Sequence, residues 1–214
     1  QTIISGMGEL HLEIMVERLR REYKVSPRVG RPQVVYREAI TKDATGLAEF
    51  ERQLKEEAIY GKVGCSVKPR DRGTGLTFDS DIEPETVPEA LVAAALQGLR
   101  DASQAGPSGY PLEYVAVRLT SMEYRDDAQP LAGLRAAAAE SFRQATKKAE
   151  SIRLEPIMDV EITTPEEALG AVIGDLQQRA GHILDVGARG NKSLVKARVP
   201  LANMFGYSTK VRTI

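Results

Sequence analysis

From Leu154 to Ile214 the hydrophobic period changes in a fixed order. Met158, Val160 and Ile162 alternate with Asp159 and Glu161, the pattern of a half-buried strand. Thr164-Pro165-Glu166-Glu167 reads as a capping box. It opens a helix lined by Leu169, Val172, Ile173, Leu176 and Ala180, with Gly181 suited to the C′ position. His182 to Ala188 and Ser193 to Val199 are two strands joined by Gly190-Asn191, a hairpin signal, and Pro200 opens a second helix. The order is β-α-β-β-α, the split β-α-β unit without its last strand.

That unit predicts a ferredoxin-like sheet, and two further units precede it. A helix over Gly8–Tyr23 carries Leu12, Met15, Val16, Leu19 and Tyr23 as one apolar stripe. Glu9 and Glu13 lie in its first half and Arg18, Arg20 and Arg21 in its last, as the helix dipole prefers. Ser26 to Pro32 is a linker. One helix buries too little surface to be stable alone. Both ends look cut, so the chain is expected to be a piece of something longer.

The middle unit begins with an extended Val34-Val35-Tyr36. Strands are predicted over Gly46–Leu54, Ile59–Val67, Leu76–Ile82 and Tyr114–Leu119. A second capping box, Thr86-Val87-Pro88-Glu89, opens a helix with Leu91, Ala94, Ala95, Leu99 and Ala102 inward. Pro130 starts another, with Leu131, Leu134, Ala138, Phe142, Ala145 and Ala149 on one face.

Lys plus Arg number 29 and Asp plus Glu 30, a net charge of -1, which excludes a binder held to nucleic acid by overall charge. No apolar run approaches the roughly 18 residues of a membrane span, and the N-terminus does not read as a signal peptide. Cys65 is the single cysteine, which leaves no internal disulfide and fits a reducing compartment. Its place between Val63 and Val67 favours a small core residue over a reactive thiol. His11 and His182 are too far apart in sequence for a metal or triad signature, and no catalytic residue is assigned. His11 and Glu13 are assigned an interdomain role rather than acid–base chemistry. Gly187 to Ser193 looks like a phosphate-binding loop but fails twice. Asn191 stands before the lysine where glycine is needed, and the segment joins two strands.

The strongest functional signal is charge order. Glu155 to Asp185 holds seven acidic residues and one basic, Arg179. Val186 to Ile214 holds Arg189, Lys192, Lys196, Arg198, Lys210 and Arg212 and nothing acidic. Such a patch is what phosphate contact requires, with a plain solvated face as the equal alternative.

Ile4-Ser5-Gly6-Met7-Gly8-Glu9-Leu10-His11-Leu12-Glu13 resembles the signature of bacterial elongation factor G, a translational GTPase. So do Leu154-Glu155-Pro156-Ile157-Met158, Val172-Ile173-Gly174-Asp175-Leu176 and Val199 to Tyr207. The resemblance implies an α+β chain: the end of a ferredoxin-like domain III with its linker (1–31), a domain IV like ribosomal protein S5 domain 2 (32–153), and most of a ferredoxin-like domain V (154–214). It further implies a left-handed βαβ crossover in domain IV, where periodicity alone predicts a right-handed one. GTP and Mg²⁺ would sit on a preceding domain, with no cofactor or metal held by these residues. The implied partners are those preceding domains and the ribosome, with the small-subunit decoding centre meeting domain IV and large-subunit RNA meeting domain V. The implied setting is the cytoplasm, with no membrane partner.

The family's glycine-rich first tip loop aligns with Leu54–Gly61, with Lys55, Glu56, Glu57 and Ala58 at the tip, and its histidine-bearing second loop with Met122–Pro130, with Tyr124, Arg125, Asp126 and Asp127 at the tip. Four carboxylates there are a poor match to an RNA groove. That leaves open an ordinary translocase with drifted loops or a paralog specialised for recycling or another ribosomal task. From other classes, an S5-like enzyme domain and an inert structural module stand as alternatives.

Overall fold

The computed structural model describes residues 4, 6, 9–30, 34–54 and 57–213, and of Glu9 and Leu54 the backbone alone. The chain divides into a central unit, Tyr36–Leu154, and a flanking unit built from Gln1–Val35 and Glu155–Ile214. The first helix, α1 (Glu9–Glu22), belongs to the flanking unit. Leu12, Val16 and Leu19 are half-buried, whereas Met15 and Tyr23 are exposed. The stripe is narrower than its periodicity predicts because Met15 lies at its edge and Tyr23 falls past the helix end.

The central unit runs β1 (Arg37–Ile40), β2 (Ala44–Leu54), β3 (Glu57–Pro69), β4 (Thr77–Ser80), α2 (Glu89–Ala102), β5 (Val115–Glu123), β6 (Ala128–Gln129), α3 (Pro130–Lys148) and β7 (Ser151–Leu154). The main sheet has the order β2-β3-β5-β4, with β6 beside β3. β4 and β5 are parallel neighbours joined through α2, while β2 and β5 each pair antiparallel with β3. β1 and β7 form a separate two-stranded ladder. The sequence did not reveal β7: Ser-Ile-Arg-Leu has no buried position and so no alternation to read.

The core joins Val63, Val67, Val117 and Leu119 of the sheet to Leu99 of α2 and Leu134 and Phe142 of α3. Cys65 is fully buried among them. Ser141 Oγ donates to its sulfur at 3.5 Å, and burial pushes the thiol above its ordinary pKa. The start of α3 presses on β3 through two glycines. A Cβ on Gly133 would stand 2.1 Å from the Tyr60 carbonyl oxygen, and one on Gly61 would stand 2.4 Å from the Gly133 carbonyl carbon.

Neither capping box forms. Thr86 closes a turn instead, its hydroxyl donating to the Glu83 carbonyl at 2.6 Å, and α2 starts at Glu89 after Pro88. Proline disfavours helical geometry in the residue before it, so Val87 delays the start. Thr164 is likewise committed to a ladder, opposite Ser193.

The flanking unit continues with β8 (Ile157–Thr164), a 3₁₀ turn at Glu166–Ala168, α4 (Leu169–Gln178), β9 (His182–Arg189) and β10 (Lys192–Pro200). β10 is the middle strand, antiparallel to β8 on one side and β9 on the other. This is the ferredoxin-like order with three strands, and the outer edge of β8 has no partner strand among the described residues. Its core is smaller: Ile162, Val172, Leu176, Val195, Ala197, Val199 and Tyr207. α4 ends in a Schellman motif, with Ala180 N–H on the Gln177 carbonyl and Gly181 N–H on that of Leu176. Ala180, not Gly181, takes the left-handed position, at φ 57°. Gly181 follows because a Cβ there would lie 2.6 Å from the Leu176 oxygen. After Pro200 there is no continuous helix but a 3₁₀ turn (Leu201–Asn203), α5 (Tyr207–Lys210) and a last 3₁₀ turn (Val211–Thr213). Gly206, left-handed at φ 74°, divides them.

Candidate nucleic-acid interface

The six cations predicted as one patch divide between two layers. Lys192, Lys196 and Arg198 alternate on β10 with buried Val195, Ala197 and Val199, so they share the outer face of the sheet. Arg189 stands opposite Lys192 at the hairpin end. Lys210 and Arg212 lie on the last turns, which pack through Tyr207 and Val211 against the other, buried face.

On the outer face the acidic half of the sequence returns beside the basic half. Arg198 lies opposite Asp159 and Lys196 opposite Glu161 across one ladder, and Lys196 opposite Asp185 across the other. Arg198 Nε meets Asp159 Oδ1 at 2.9 Å, and Arg189 Nη1 meets Glu161 Oε1 at 3.6 Å. The face is therefore mixed near its middle, and its most cationic part is the Arg189–Lys192 hairpin end, where Gly190 turns at φ 65°. The phosphate-loop lookalike is this hairpin, as its position between two strands implies.

The second candidate surface is an end of the central unit. Ala58 pairs with Ala128 and Ile59 with Gln129 as β6 runs along β3, so the β2–β3 hairpin and the 124–127 loop lie side by side. Lys55 and Glu56 fall outside the described residues. Tyr124 packs against the core, whereas Asp126 and Asp127 are exposed. Arg125 lies between the two loops. Its Nη2 donates to Glu51 Oε1 at 2.8 Å, its Nε lies 3.7 Å from Asp127 Oδ1, and its guanidinium sits 4.2 Å from the centre of the Tyr60 ring. The bond to Glu51, above all, holds Arg125 more firmly protonated. Gln129 Nε2 donates to the Glu57 carboxylate, and Lys62 Nζ to Glu123 at 2.8 Å. A hydrogen bond to Glu49 raises the Tyr60 hydroxyl pKa.

His11 is half-buried on α1 with Gly6 close to its Nδ1, and Glu13 is exposed. A cavity of about 1210 Å³ in the flanking unit is lined mainly by apolar side chains, among them Met158, Ile162, Met204 and Phe205. Among the described residues no group of three or more His, Cys, Asp or Glu is arranged to hold a metal ion. Among them, too, no helix is long and apolar enough to cross a membrane.

Sequence reasoning missed Glu38. It is fully buried, and its carboxyl group accepts hydrogen bonds from Ser108 N–H at 2.9 Å and Tyr110 N–H at 2.9 Å. The turn-rich Gly106-Pro107-Ser108-Gly109 was its one available signal, since such a loop leaves amides in need of an acceptor.

A two-layer α/β unit joined to a ferredoxin-like sheet places the chain among multidomain α+β proteins. The models of known families are more specific. Residues 1–31 match elongation factor G domain III, 32–150 match elongation factor G domain IV, and 152–214 match the elongation factor G C-terminus. The chain belongs to the elongation factor G family. It is 43% identical over 215 aligned residues to elongation factor G of Aquifex pyrophilus, covering 100% of this chain and 31% of that protein. A crystal structure of a Thermus thermophilus protein superposes with a TM-score of 0.84 at 31% identity, over 94% of this chain and 30% of that one. The chain thus spans about a third of the length of these relatives.

Proposed function

We propose that this chain is the ribosome-contacting C-terminal part of a cytoplasmic translation elongation factor G. Its longer form hydrolyses GTP with Mg²⁺ on a preceding domain and promotes movement of tRNA and mRNA. The 214 residues carry no catalytic step. They supply shape: the paired loops beyond β2–β3 and β5 face the decoding centre, the β9–β10 hairpin faces large-subunit RNA, and His11 and Glu13 face the neighbouring domains.

The observation that carries this reading is the pairing of Ala58 with Ala128, which makes one blunt end out of two loops far apart in sequence. That end stands on strands of 11 and 13 residues, long and stiff enough to transmit a push. The test is to fuse this chain to the N-terminal two thirds of a relative and measure single-round translocation. A fusion that hydrolyses GTP on the ribosome and translocates supports the reading. One that hydrolyses GTP normally without binding or moving the ribosome overturns it. The specialised paralog is the second reading, favoured by the carboxylates Glu57, Asp126 and Asp127 at the same end. Under it, the fusion translocates slowly and speeds up when the family's glycine-rich and histidine-bearing loops replace residues 54–61 and 122–130.

A further inference from the structure

Arg125 is the one cation described at the loop end that touches both loops' supports. It comes from the second loop and reaches Glu51 on β2 and the Tyr60 ring on β3, while a second guanidinium edge faces Asp127. Its Nε is buried and makes no hydrogen bond, while the side chain as a whole is 41% exposed, so the group lies against the two loops with one side in water. Around it most carboxylates have a partner: Glu51 and Asp127 share Arg125, Glu123 meets Lys62, and the uncharged Gln129 and Tyr60 hydroxyl serve Glu57 and Glu49. Among the described residues of this end, Asp126 has no partner.

We infer that Arg125 is a positioning residue that locks the two loops into one rigid end and offsets part of the carboxylate charge that would otherwise oppose RNA. A planar fork that bonds a carboxylate edge-on while stacking on a ring does this better than an ammonium, which offers neither plane. Arg125 touches no reacting atom. It acts by fixing where Asp126 and Asp127 point and by keeping negative charge from accumulating where phosphates approach. The functional half of this inference rests on the proposed reading of this end as RNA-facing; the mechanical half does not.

The test has two arms. Amide hydrogen exchange is followed in the 214-residue chain and in Arg125→Ala, Arg125→Lys and Glu51→Gln. Expected is exchange about 10-fold faster in Asp126–Gln129 for Arg125→Ala and a smaller rise for the other two, with β8–β10 unchanged. Unchanged exchange in all three variants overturns the lock. In the fusion factor, Arg125→Ala is expected to slow translocation about 10-fold while ribosome-stimulated GTP hydrolysis stays within about twofold. A Gly-Ser replacement of residues 124–127 separates the two claims. If it leaves translocation unchanged, the RNA-facing reading fails. If it slows translocation while Arg125→Ala does not, the positioning role fails alone.

Discussion

The loop end of the central unit and the hairpin end of the flanking unit arrange their charges oppositely. At the loop end one half-exposed arginine is held by two carboxylates and a ring, so the cation's charge is spent inside the protein. At the hairpin end Arg189 and Lys192 stand opposite each other, with Glu161 meeting only Arg189, at 3.6 Å. The first arrangement favours a shaped probe whose remaining charge is acidic, and the second favours attraction to phosphate. Charge order along the chain says little about either. β10 is basic, but as the middle strand it brings Asp159, Glu161 and Asp185 back beside it.

The two ends stand on separate cores, so each should fail alone. Leu176→Ala removes a fully buried side chain from the smaller core. It should cost about 2–5 kcal/mol and unfold the flanking unit, with exchange protection lost in β8–β10 but kept in β3 and β5. Gly133→Ala should damage the other end. Alanine favours helix by about 1 kcal/mol over glycine, yet its Cβ would stand 2.1 Å from the Tyr60 carbonyl oxygen. A net loss of about 1–3 kcal/mol is expected from overpacking, with protection falling first in 57–61 and 128–134. A stabilised Gly133→Ala would show that β3 and α3 yield easily beneath the loops.

A subtler contrast lies in pH. Burial raises the Cys65 pKa, so the folded central unit holds the thiol proton more tightly than the unfolded chain. Stability is then complete below the ordinary thiol pKa and falls as pH rises from there through the raised native value. Cys65→Ala should flatten that fall in the central unit and leave the flanking unit's pH dependence unchanged. The smallest effect expected is at the exposed Arg198–Asp159 pair, where a double-mutant cycle should give about 0–1 kcal/mol.

What was legible in the sequence follows from what leaves a periodic mark. The helix faces of Leu91–Ala102 and Leu134–Ala149 and the strand alternation of Val195–Val199 were readable because burial repeats there. Both capping boxes misled, since a proline step and a strand ladder claimed the threonines first. The interface was half legible. Period two put Lys196 and Arg198 on one face, but no local pattern announces which strand will lie between which. Glu38, Glu51 and Tyr60 act through partners 65 to 74 positions away, and single-sequence spacing carries no trace of such pairs.

The contrast between the ends is tested most directly by the salt dependence of ribosome binding. The 214-residue chain and its Arg189→Gln/Lys192→Gln/Lys196→Gln variant are titrated onto ribosomes across a range of salt, beside Arg125→Ala. Each lost phosphate contact should lower the slope of log affinity against log salt by roughly 0.7–0.9. The triple variant is therefore expected to flatten the slope by about 2. Arg125→Ala removes no phosphate contact and only unmasks two carboxylates, so it should change the slope by clearly less. An unaltered slope in the triple variant, or an equal change at Arg125, would contradict the division of the molecule into a shape-bearing end and a phosphate-seeking end.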